Sequence, residues 1–429
     1  TPLLYFSYGL DAALLNASST APWGFHFTNV LLHALNSVLL FLLLLNFCKK
    51  PWRAFFFAAI WALHPLRVES IAWVSERKDV LSGFFSLLCI GAYVGAWTRR
   101  AIGVHSSRLS IPWTIASLLF FAFALMAKSS VAPIPFGLLL LDLWPLRRME
   151  PAALAVLRAA PRLLAEKIPF ILLAALASLG TTCAYKEMDA LIDAPLSVRL
   201  VTIPIHYAFY LAKYFLPRNL APLYPDITPS VLICCFSVLL LSALTAGAWL
   251  SRRRQPQILV GWFLFLGLLV PTIGLVRFGA QSIGDRYTYL PAVGLSIALL
   301  HFWPSDPGPR PARRMLRPFV VMSILALLAC ATLRLLPAWQ STPSLFNHIL
   351  SIFPDNPSAL GMRSSHLIRT AGDFQTASEG FDRIIRSDSY TQQYLVGKAH
   401  CLAELQGSAE AKAFLLQASA LGNPHIMHA

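Results

Sequence analysis

Charged side chains are scarce in this sequence. Asp, Glu, Lys and Arg together make up 13% of its 429 residues, against roughly 25% in a soluble domain. Hydrophobic residues make up 56%, and several apolar runs approach the roughly 20 residues that a helix needs to cross a bilayer. A soluble fold cannot bury so many consecutive apolar residues, so the composition excludes a soluble globular protein and predicts an integral membrane protein.

Acidic residues are fewer than basic ones, since 20 Asp and Glu stand against 35 Lys and Arg and give a net charge of +15. A nucleic-acid-binding face would need these basic residues in one stripe with interleaved aromatics. They lie instead in short runs between apolar segments: Lys49-Lys50, Arg99-Arg100, Arg147-Arg148, Arg252 to Arg254, and Arg310 to Arg317. This pattern excludes nucleic acid as a predicted partner and is typical of cytoplasmic loops under the positive-inside rule.

Cysteine motifs are also missing. None of the seven cysteines forms a CxxC pair or has the spacing of zinc ligands, and most lie inside apolar runs. We expect them to be small apolar core residues, and the sequence predicts no metal site.

Hydropathy predicts about ten membrane-spanning helices. They cover residues 28–47, 52–64, 80–97, 112–127, 129–146, 167–185, 230–250, 257–276, 286–303 and 318–336. A further segment at about 197–216 carries Arg199, His206 and Lys213, which a lipid-facing span would bury at roughly 2.5–3.5 kcal/mol each. We therefore expect an interfacial helix there, which leaves every basic run on the cytoplasmic side.

The chain is predicted to be an all-α polytopic membrane protein with two domains. Residues 1–340 form the transmembrane domain, and because its first span begins on the outer side we expect at least one earlier helix before Thr1. From about residue 341, positions recur every 34 residues, as at Leu350, Ile384 and Ala418. This is the period of tetratricopeptide repeats, so residues 341–429 are predicted to form a helical repeat domain on the outer, periplasmic or luminal side.

The densest polar cluster runs from His64 to Asp79, between two predicted spans. In a helix beginning at Pro65, the side chains of Glu69, Trp73 and Glu76 would share one face. Ionisable groups at a membrane boundary are costly unless they pair or contact a polar ligand. The cluster is therefore a candidate site; the alternative is an amphipathic surface turn in which Asp79 is the N-cap of the next helix.

A second polar cluster runs from Arg277 to Pro291. Arg286 suits a phosphate because its guanidinium is a planar fork of donors, and Tyr287 belongs either to the site or to an interfacial belt of aromatics. Lys128, between two spans on the same predicted side, is a candidate partner for a phosphate or carboxylate. A polar stripe in the first span, with members three or four residues apart, must face protein, either as contacts between helices or as the lining of a site. Its members are His26, Asn29, His33 and Asn36.

Four strings resemble the transmembrane and tetratricopeptide-repeat O-mannosyltransferases and their bacterial relatives. They are PWGFHFTNVLLHALNSVLLFLL (22–43), HPLRVESIAWVSERKDVLS (64–82), GDRYTYLPAVGL (284–295) and SLFNHILSIFPDNPSAL (344–360). The resemblance implies the GT-C glycosyltransferase fold, with the active site in outer loops. It also implies transfer of a sugar, mannose in eukaryotic members, from a polyprenyl- or dolichyl-phosphate carrier to a hydroxyl acceptor. An acidic residue would act as general base, cations would stabilise the departing phosphate, and such a donor does not demand a metal.

On this interpretation Glu69 and Asp79 are the catalytic residues. Substrate and carrier phosphate would be bound by His64, Arg77, Lys78, Lys128, Arg286 and Tyr287. Enzymes of this superfamily usually carry the key acid in the first outer loop, of which this sequence holds only the end, where Asp11 looks structural. The predicted partners are membrane lipid, the lipid-linked sugar, and a protein bound by the repeats.

Two other functions remain open from the sequence. One is a non-catalytic membrane scaffold whose repeats bind proteins, and the other is a transporter, although paired inverted repeats are not visible. The composition favours a bacterial inner membrane, with the endoplasmic reticulum as the alternative.

Overall fold

A computed structural model describes residues 1–101, 107–149, 160–187, 195–226, 230–275, 281–303, 311–386 and 392–420. Every regular element in these ranges is a helix, which confirms the all-α class. The chain forms two compact units, one of Thr1–Leu220 with Ile227–Leu335 and one of Ala221–Asp226 with Leu336–Ala429.

The first unit contains thirteen α-helices within the described ranges. They are α1 (Pro2–Leu15), α2 (Trp23–Cys48), α3 (Pro51–Leu63), α4 (Val68–Ala72), α5 (Arg77–Ala101), α6 (Ser107–Ala127), α7 (Ile134–Leu143), α8 (Ile168–Glu187), α9 (Leu196–Phe215), α10 (Val231–Ser251), α11 (Pro256–Leu269), α12 (Pro291–Leu299) and α13 (Pro311–Leu335). Short 3₁₀ turns at Pro65–Arg67, Val74–Glu76, Ser129–Val131 and Asp285–Thr288 connect several of them.

Five helices in the described ranges are long and apolar enough to cross a membrane, and a sixth span results if α3 and the following bent segment are counted together. Four shorter apolar helices complete the set, so each of the ten predicted spans overlaps an apolar helix. Helices α8 and α13 bury only 6% of their most apolar windows, and α10 only 11%. Such apolar surfaces need a lipid environment, and the protein is an integral membrane protein.

Helix α9 occupies the segment predicted to lie in the interface. It is not among the helices that qualify as spans in the described residues, and one face of it is buried. There, His206 Nδ1 donates to the carbonyl of Ile273 (2.8 Å) and the Tyr207 hydroxyl donates to that of Leu266 (2.9 Å). Its placement at the membrane surface, and the inner or outer side of each loop, stay predictions.

The chain breaks sharply between α3 and α5, and this break carries the densest polar cluster. Proline disfavours the α conformation in the residue before it, and His64 is extended, with φ −68° and ψ 130°. The next segment is bent by 56° from α3, and Trp73 is extended again, with ψ 109°. The helix predicted to run from Pro65 through Glu76 ends at Ala72, because the extended Trp73 separates α4 from the 3₁₀ turn Val74–Glu76.

Helices α11 and α12 pack closely at two glycines. A Cβ on Gly261 would lie 2.4 Å from the Gly294 carbonyl oxygen, and one on Gly294 would lie 2.6 Å from the Gly261 oxygen. Small residues allow helix backbones to approach in this way. The contact fixes α12 and the turn Asp285–Thr288 that precedes it.

The second unit contains helices α14 (Thr342–Ile352), α15 (Pro357–Ala371), α16 (Phe374–Arg386), α17 (Gln392–Gln406) and α18 (Ser408–Ala420). Ser341 and Ser344 form a capping box at the start of α14. Phe381, Ile384 and Cys401 lie in one apolar core. Ala377 and Ala411, which are 34 residues apart, are both buried. The tetratricopeptide identity of these helices stays a prediction.

Candidate functional site

The polar cluster at the α3–α5 break contacts the turn before α12, although about 200 residues separate them. One oxygen of Glu69 pairs with the guanidinium of Arg286, and the other accepts the Arg286 backbone N–H (2.9 Å). Both residues are buried. Glu69 therefore holds both the guanidinium of Arg286 and the backbone of the turn Asp285–Thr288 next to α4.

The guanidinium of Arg286 also contacts other polar side chains and two aromatic rings. It donates to Gln281 Oε1 and to the Tyr287 hydroxyl (3.2 Å), and its Nε lies 3.4 Å from Glu76 Oε1. Its carbon lies 4.7 Å from the ring centre of Tyr287 and 5.5 Å from that of Trp73, within cation–π range. Arg286 thus stays charged and is held in one orientation.

A second ion pair lies next to the first. Asp79 Oδ1 pairs with the ammonium of Lys128, and its Oδ2 accepts the Ser70 hydroxyl (3.1 Å). Burial lowers the pKa of Lys128, but the nearby carboxylates of Asp79 and Glu76 more than offset this and hold the pKa above its ordinary value. Asp79 lies in the first turn of α5 rather than before it, so the alternative in which Asp79 is the N-cap of this helix is wrong.

We call these groups the Glu69–Arg286 cluster. Its ionic members are Glu69, Glu76, Lys78, Asp79, Lys128 and Arg286. Lys78 Nζ lies 3.1 Å from Glu76 Oε1, and the side chain of Lys78 is 33% exposed. Three carboxylates balance three cations, and the cluster reaches the surface of the unit through Lys78 and the partly buried Lys128 and Tyr287.

Arg77 lies in a different network. Its guanidinium contacts Asp11 Oδ2 (2.5 Å), Asn29 Oδ1 (2.8 Å) and the Phe25 carbonyl (2.8 Å), and it lies over the ring of Tyr8 at 4.6 Å. The Asp11 carboxylate also accepts a side-chain hydroxyl from α2. Arg77 is thus fully engaged in joining α1 and α2 to the start of α5, and Asp11 has the structural role expected of it.

His64 is also satisfied by this chain's own groups. Its Nδ1 accepts the Leu66 N–H (3.2 Å), its Nε2–H donates to the Tyr214 carbonyl (2.9 Å), and its ring stacks on that of Tyr214. It therefore caps the first turn after α3 and attaches this turn to α9.

The polar stripe of α2 makes contacts between helices. The Tyr289 hydroxyl lies 2.9 Å from His33 Nδ1 and accepts from Asn36 Nδ2 (2.9 Å), and Asn29 donates to the carbonyl of Ile71 (3.0 Å). His26 is exposed. Of the two interpretations, contact between helices is the one observed for the three inner members.

Arg67 is a buried charge for which the sequence analysis predicts no role. It is 1% exposed, donates once to Thr288 Oγ1 (2.8 Å), and lies 5.6 and 5.5 Å from the ring centres of Trp61 and Tyr289. Its Nε and Nη1 have no hydrogen-bond partner among the described residues. An arginine inside the dense polar segment was the available signal. Arg277, from the second polar cluster, lies outside the described residues.

Part of the chain is similar to known protein O-mannosyl-transferases. It is 29% identical over 129 residues to Tmtc2 of Drosophila melanogaster, which covers 30% of this chain and 13% of that protein. It is 33% identical over 121 residues to TMTC4 of Homo sapiens, covering 25% and 16%. It is 27% identical over 151 residues to TMTC1 of Homo sapiens, covering 35% and 17%.

The chain thus spans 13% to 17% of the length of these curated relatives. No protein-family model matches the chain, and no solved structure does. In the described residues, no three His, Cys, Asp or Glu side chains are grouped so that they could hold a metal ion.

Proposed function

We propose that this chain belongs to a membrane glycosyltransferase of the transmembrane and tetratricopeptide-repeat O-mannosyltransferase type, within the GT-C superfamily. It moves a sugar, with mannose the first choice, from a polyprenyl-phosphate carrier to a hydroxyl on a protein or envelope glycan. The Glu69–Arg286 cluster carries this proposal, because it joins two motif segments in one buried ionic site. The partial similarity to protein O-mannosyl-transferases supports it.

The chemistry needs groups that stabilise negative charge on the leaving phosphate. Lys128 and Arg286 are cations held in place by buried carboxylates, and Lys78 is partly exposed beside them. The side chain of Lys78 is one-third exposed, and its buried partner Glu76 also contacts Arg286 Nε, so Lys78 can turn towards a phosphate while Glu76 keeps a cationic partner. Glu69 and Asp79, predicted as catalytic from the sequence, hold these cations, while Arg77 and His64 hold the surrounding helices.

The lipid chain of the donor needs an apolar surface. Exposed apolar side chains cover α8, α10 and α13. The lipid chain of the carrier would lie in the same bilayer, beside these helices. We place the site in the periplasm of a bacterial inner membrane or in the lumen of the endoplasmic reticulum. The helices after Ser341 are proposed to bind the protein acceptor or a partner.

Transfer of labelled sugar tests the proposal. Membranes containing the full-length protein are incubated with radiolabelled polyprenyl-phosphate mannose, followed by a panel of other polyprenyl-phosphate sugars, and label is counted in protein and glycan. We expect transfer from one donor of the panel above that in membranes lacking the protein. Background label from every donor would contradict the proposal and favour the scaffold function.

A further inference from the structure

The turn Asp285–Thr288 is attached at two points to the segment that follows α3. At the first point, Glu69 accepts the Arg286 backbone N–H (2.9 Å) and pairs with its guanidinium. At the second point, Arg67 Nη2 donates to Thr288 Oγ1 (2.8 Å). The donors and acceptors lie two residues apart on both segments. A single attachment would allow the turn to rotate about it, whereas two attachments fix its orientation.

Tyr287 lies between these two attachment points. The centre of its ring is 4.7 Å from the guanidinium carbon of Arg286 and 5.6 Å from Lys128 Nζ. The Thr288 hydroxyl donates to the Asp285 carbonyl (2.8 Å) and so closes the turn. A side chain that holds Thr288 therefore also sets where Arg286 and Tyr287 lie relative to Lys128.

The burial of Arg67 is unfavourable for folding. The residue is 1% exposed, and its Nε and Nη1 have no hydrogen-bond partner among the described residues. Its guanidinium lies between the rings of Trp61 and Tyr289, and Trp61 Nε1 donates to the Tyr289 carbonyl (3.0 Å), so these rings hold it in place. Unsatisfied buried donors are costly, and an apolar side chain often replaces a buried charge without loss of stability. Natural proteins break such packing rules mainly at functional sites.

We propose that Arg67 is a positioning residue for the sugar transfer. This inference rests on the proposed function. The hydrogen bond from Arg67 to Thr288 sets the orientation of the turn, and with it the positions of Arg286 and Tyr287. Donors stabilise the charge on a leaving group only where they point at its position in the transition state, so a small rotation of the turn lowers the rate of transfer. Because Arg67 is buried, it acts through Thr288 and not by contact with the substrates.

The test removes each side of this hydrogen bond in the full-length protein. Arg67→Met removes the donor, Thr288→Val removes the acceptor at nearly the same volume, and Thr288→Ser keeps the hydroxyl. Kinetic constants are measured per amount of inserted protein, with the polyprenyl-phosphate sugar that the wild-type protein uses. We expect Arg67→Met and Thr288→Val each to lower kcat by about 10–100-fold, because displaced groups lose contacts made in the transition state. The KM for the donor should stay within about twofold, and Thr288→Ser should keep most of the wild-type kcat.

Two further variants separate positioning from a structural role. The double variant Arg67→Met/Thr288→Val should be no slower than Thr288→Val, because both changes break the same hydrogen bond. Thr181→Val is the matched control, since it removes a hydroxyl of α8 that donates to the Ala177 carbonyl within the same helix (2.8 Å), and it should leave kcat and KM within about twofold. A purely structural arginine would change the amount or the stability of the inserted protein and leave kcat per inserted molecule at the wild-type value.

The outcomes distinguish the inference from the proposed function. If the wild-type protein transfers sugar and Arg67→Met keeps its kcat, the positioning role is wrong while the glycosyltransferase function stands. A loss in Arg67→Met with a wild-type kcat in Thr288→Val also overturns the inference, because Arg67 would then act through another contact. Losses that multiply in the double variant overturn it as well. If Thr288→Val fails to insert into membranes, the kcat of Arg67→Met decides alone. No transfer by the wild-type protein from any donor contradicts the proposed function, and the inference falls with it.

Discussion

The Glu69–Arg286 ion pair should be strongly coupled in stability. The substitution Glu69→Gln keeps an acceptor for the Arg286 backbone N–H but leaves a buried guanidinium without its carboxylate. Removing one partner of a buried pair typically costs about 3–5 kcal/mol. Because Glu76 lies 3.4 Å from Arg286 Nε and compensates part of the charge, we expect the free energy of unfolding to fall by about 3 kcal/mol, the lower end of that range.

A double-mutant cycle measures this coupling. Glu69→Gln, Arg286→Met and the double variant are unfolded by titration with sodium dodecyl sulfate, and helix content is followed by circular dichroism. Since the double variant has neither buried charge, we expect it to be more stable than the sum of the single losses predicts, by about 2–3 kcal/mol. The pair Arg162–Glu166, at 3.8 Å with Arg162 81% exposed, is the control and should show about 0.3–0.5 kcal/mol. If the loss of unfolding free energy in the double variant equals the sum of the two single losses within about 0.5 kcal/mol, Glu69 and Arg286 are not a coupled buried pair.

Three further predictions concern other positions in the first unit. Gly261→Leu should prevent stable packing, because even a Cβ there lies 2.4 Å from a backbone oxygen of α12, whereas Gly9→Ala, with nothing within 4 Å of its Cβ, should be neutral; thermal denaturation in detergent compares them. Arg67→Met should leave the free energy of unfolding unchanged or raise it, because one hydrogen bond does not offset the burial of the guanidinium. A decrease of more than about 2 kcal/mol in the free energy of unfolding would contradict this. Because the pKa of Lys128 is raised, the stability from its pair with Asp79 is present at neutral pH and is lost only as pH rises through that raised pKa. The difference in unfolding free energy between wild type and Lys128→Met should therefore be equal at about pH 7 and about pH 9, and a loss at the higher pH would show that the charge is not held.

Much of the fold could be predicted from hydropathy alone. Apolar runs identify helices because a bilayer satisfies no backbone hydrogen bonds, and each predicted span overlaps an apolar helix. The sequence did not indicate the break at Trp73, because Glu69, Trp73 and Glu76 have the spacing of residues on one face of a continuous helix. The sequence also gave no sign that Ala221–Asp226 belongs with the second unit, since that grouping depends on tertiary packing.

The residues that form the candidate site could be predicted from the sequence, but not which carboxylate pairs with which cation. His64 to Asp79, Lys128 and Arg286 stand out because charges are rare at the ends of apolar helices. Which carboxylate faces which cation depends on the short turns after His64, and these direct Glu69 to Arg286 and Arg77 to Asp11. The contacts of Glu76 Oε1 with Lys78 and Arg286 depend on the same geometry.

The measurement that tests the account most directly is sugar transfer by matched arginine variants of the full-length protein. Arg286→Lys keeps the charge but loses the planar fork that contacts Glu69, Glu76 and Gln281. Arg148→Lys makes the same change in the separate network of Asp142 and Glu166. The account predicts that transfer from the active polyprenyl-phosphate sugar falls at least about tenfold, or 1.4 kcal/mol, in Arg286→Lys and stays at the wild-type rate in Arg148→Lys. Equal rates in the two variants, at equal amounts of inserted protein, would show that the Glu69–Arg286 cluster is not where transfer occurs.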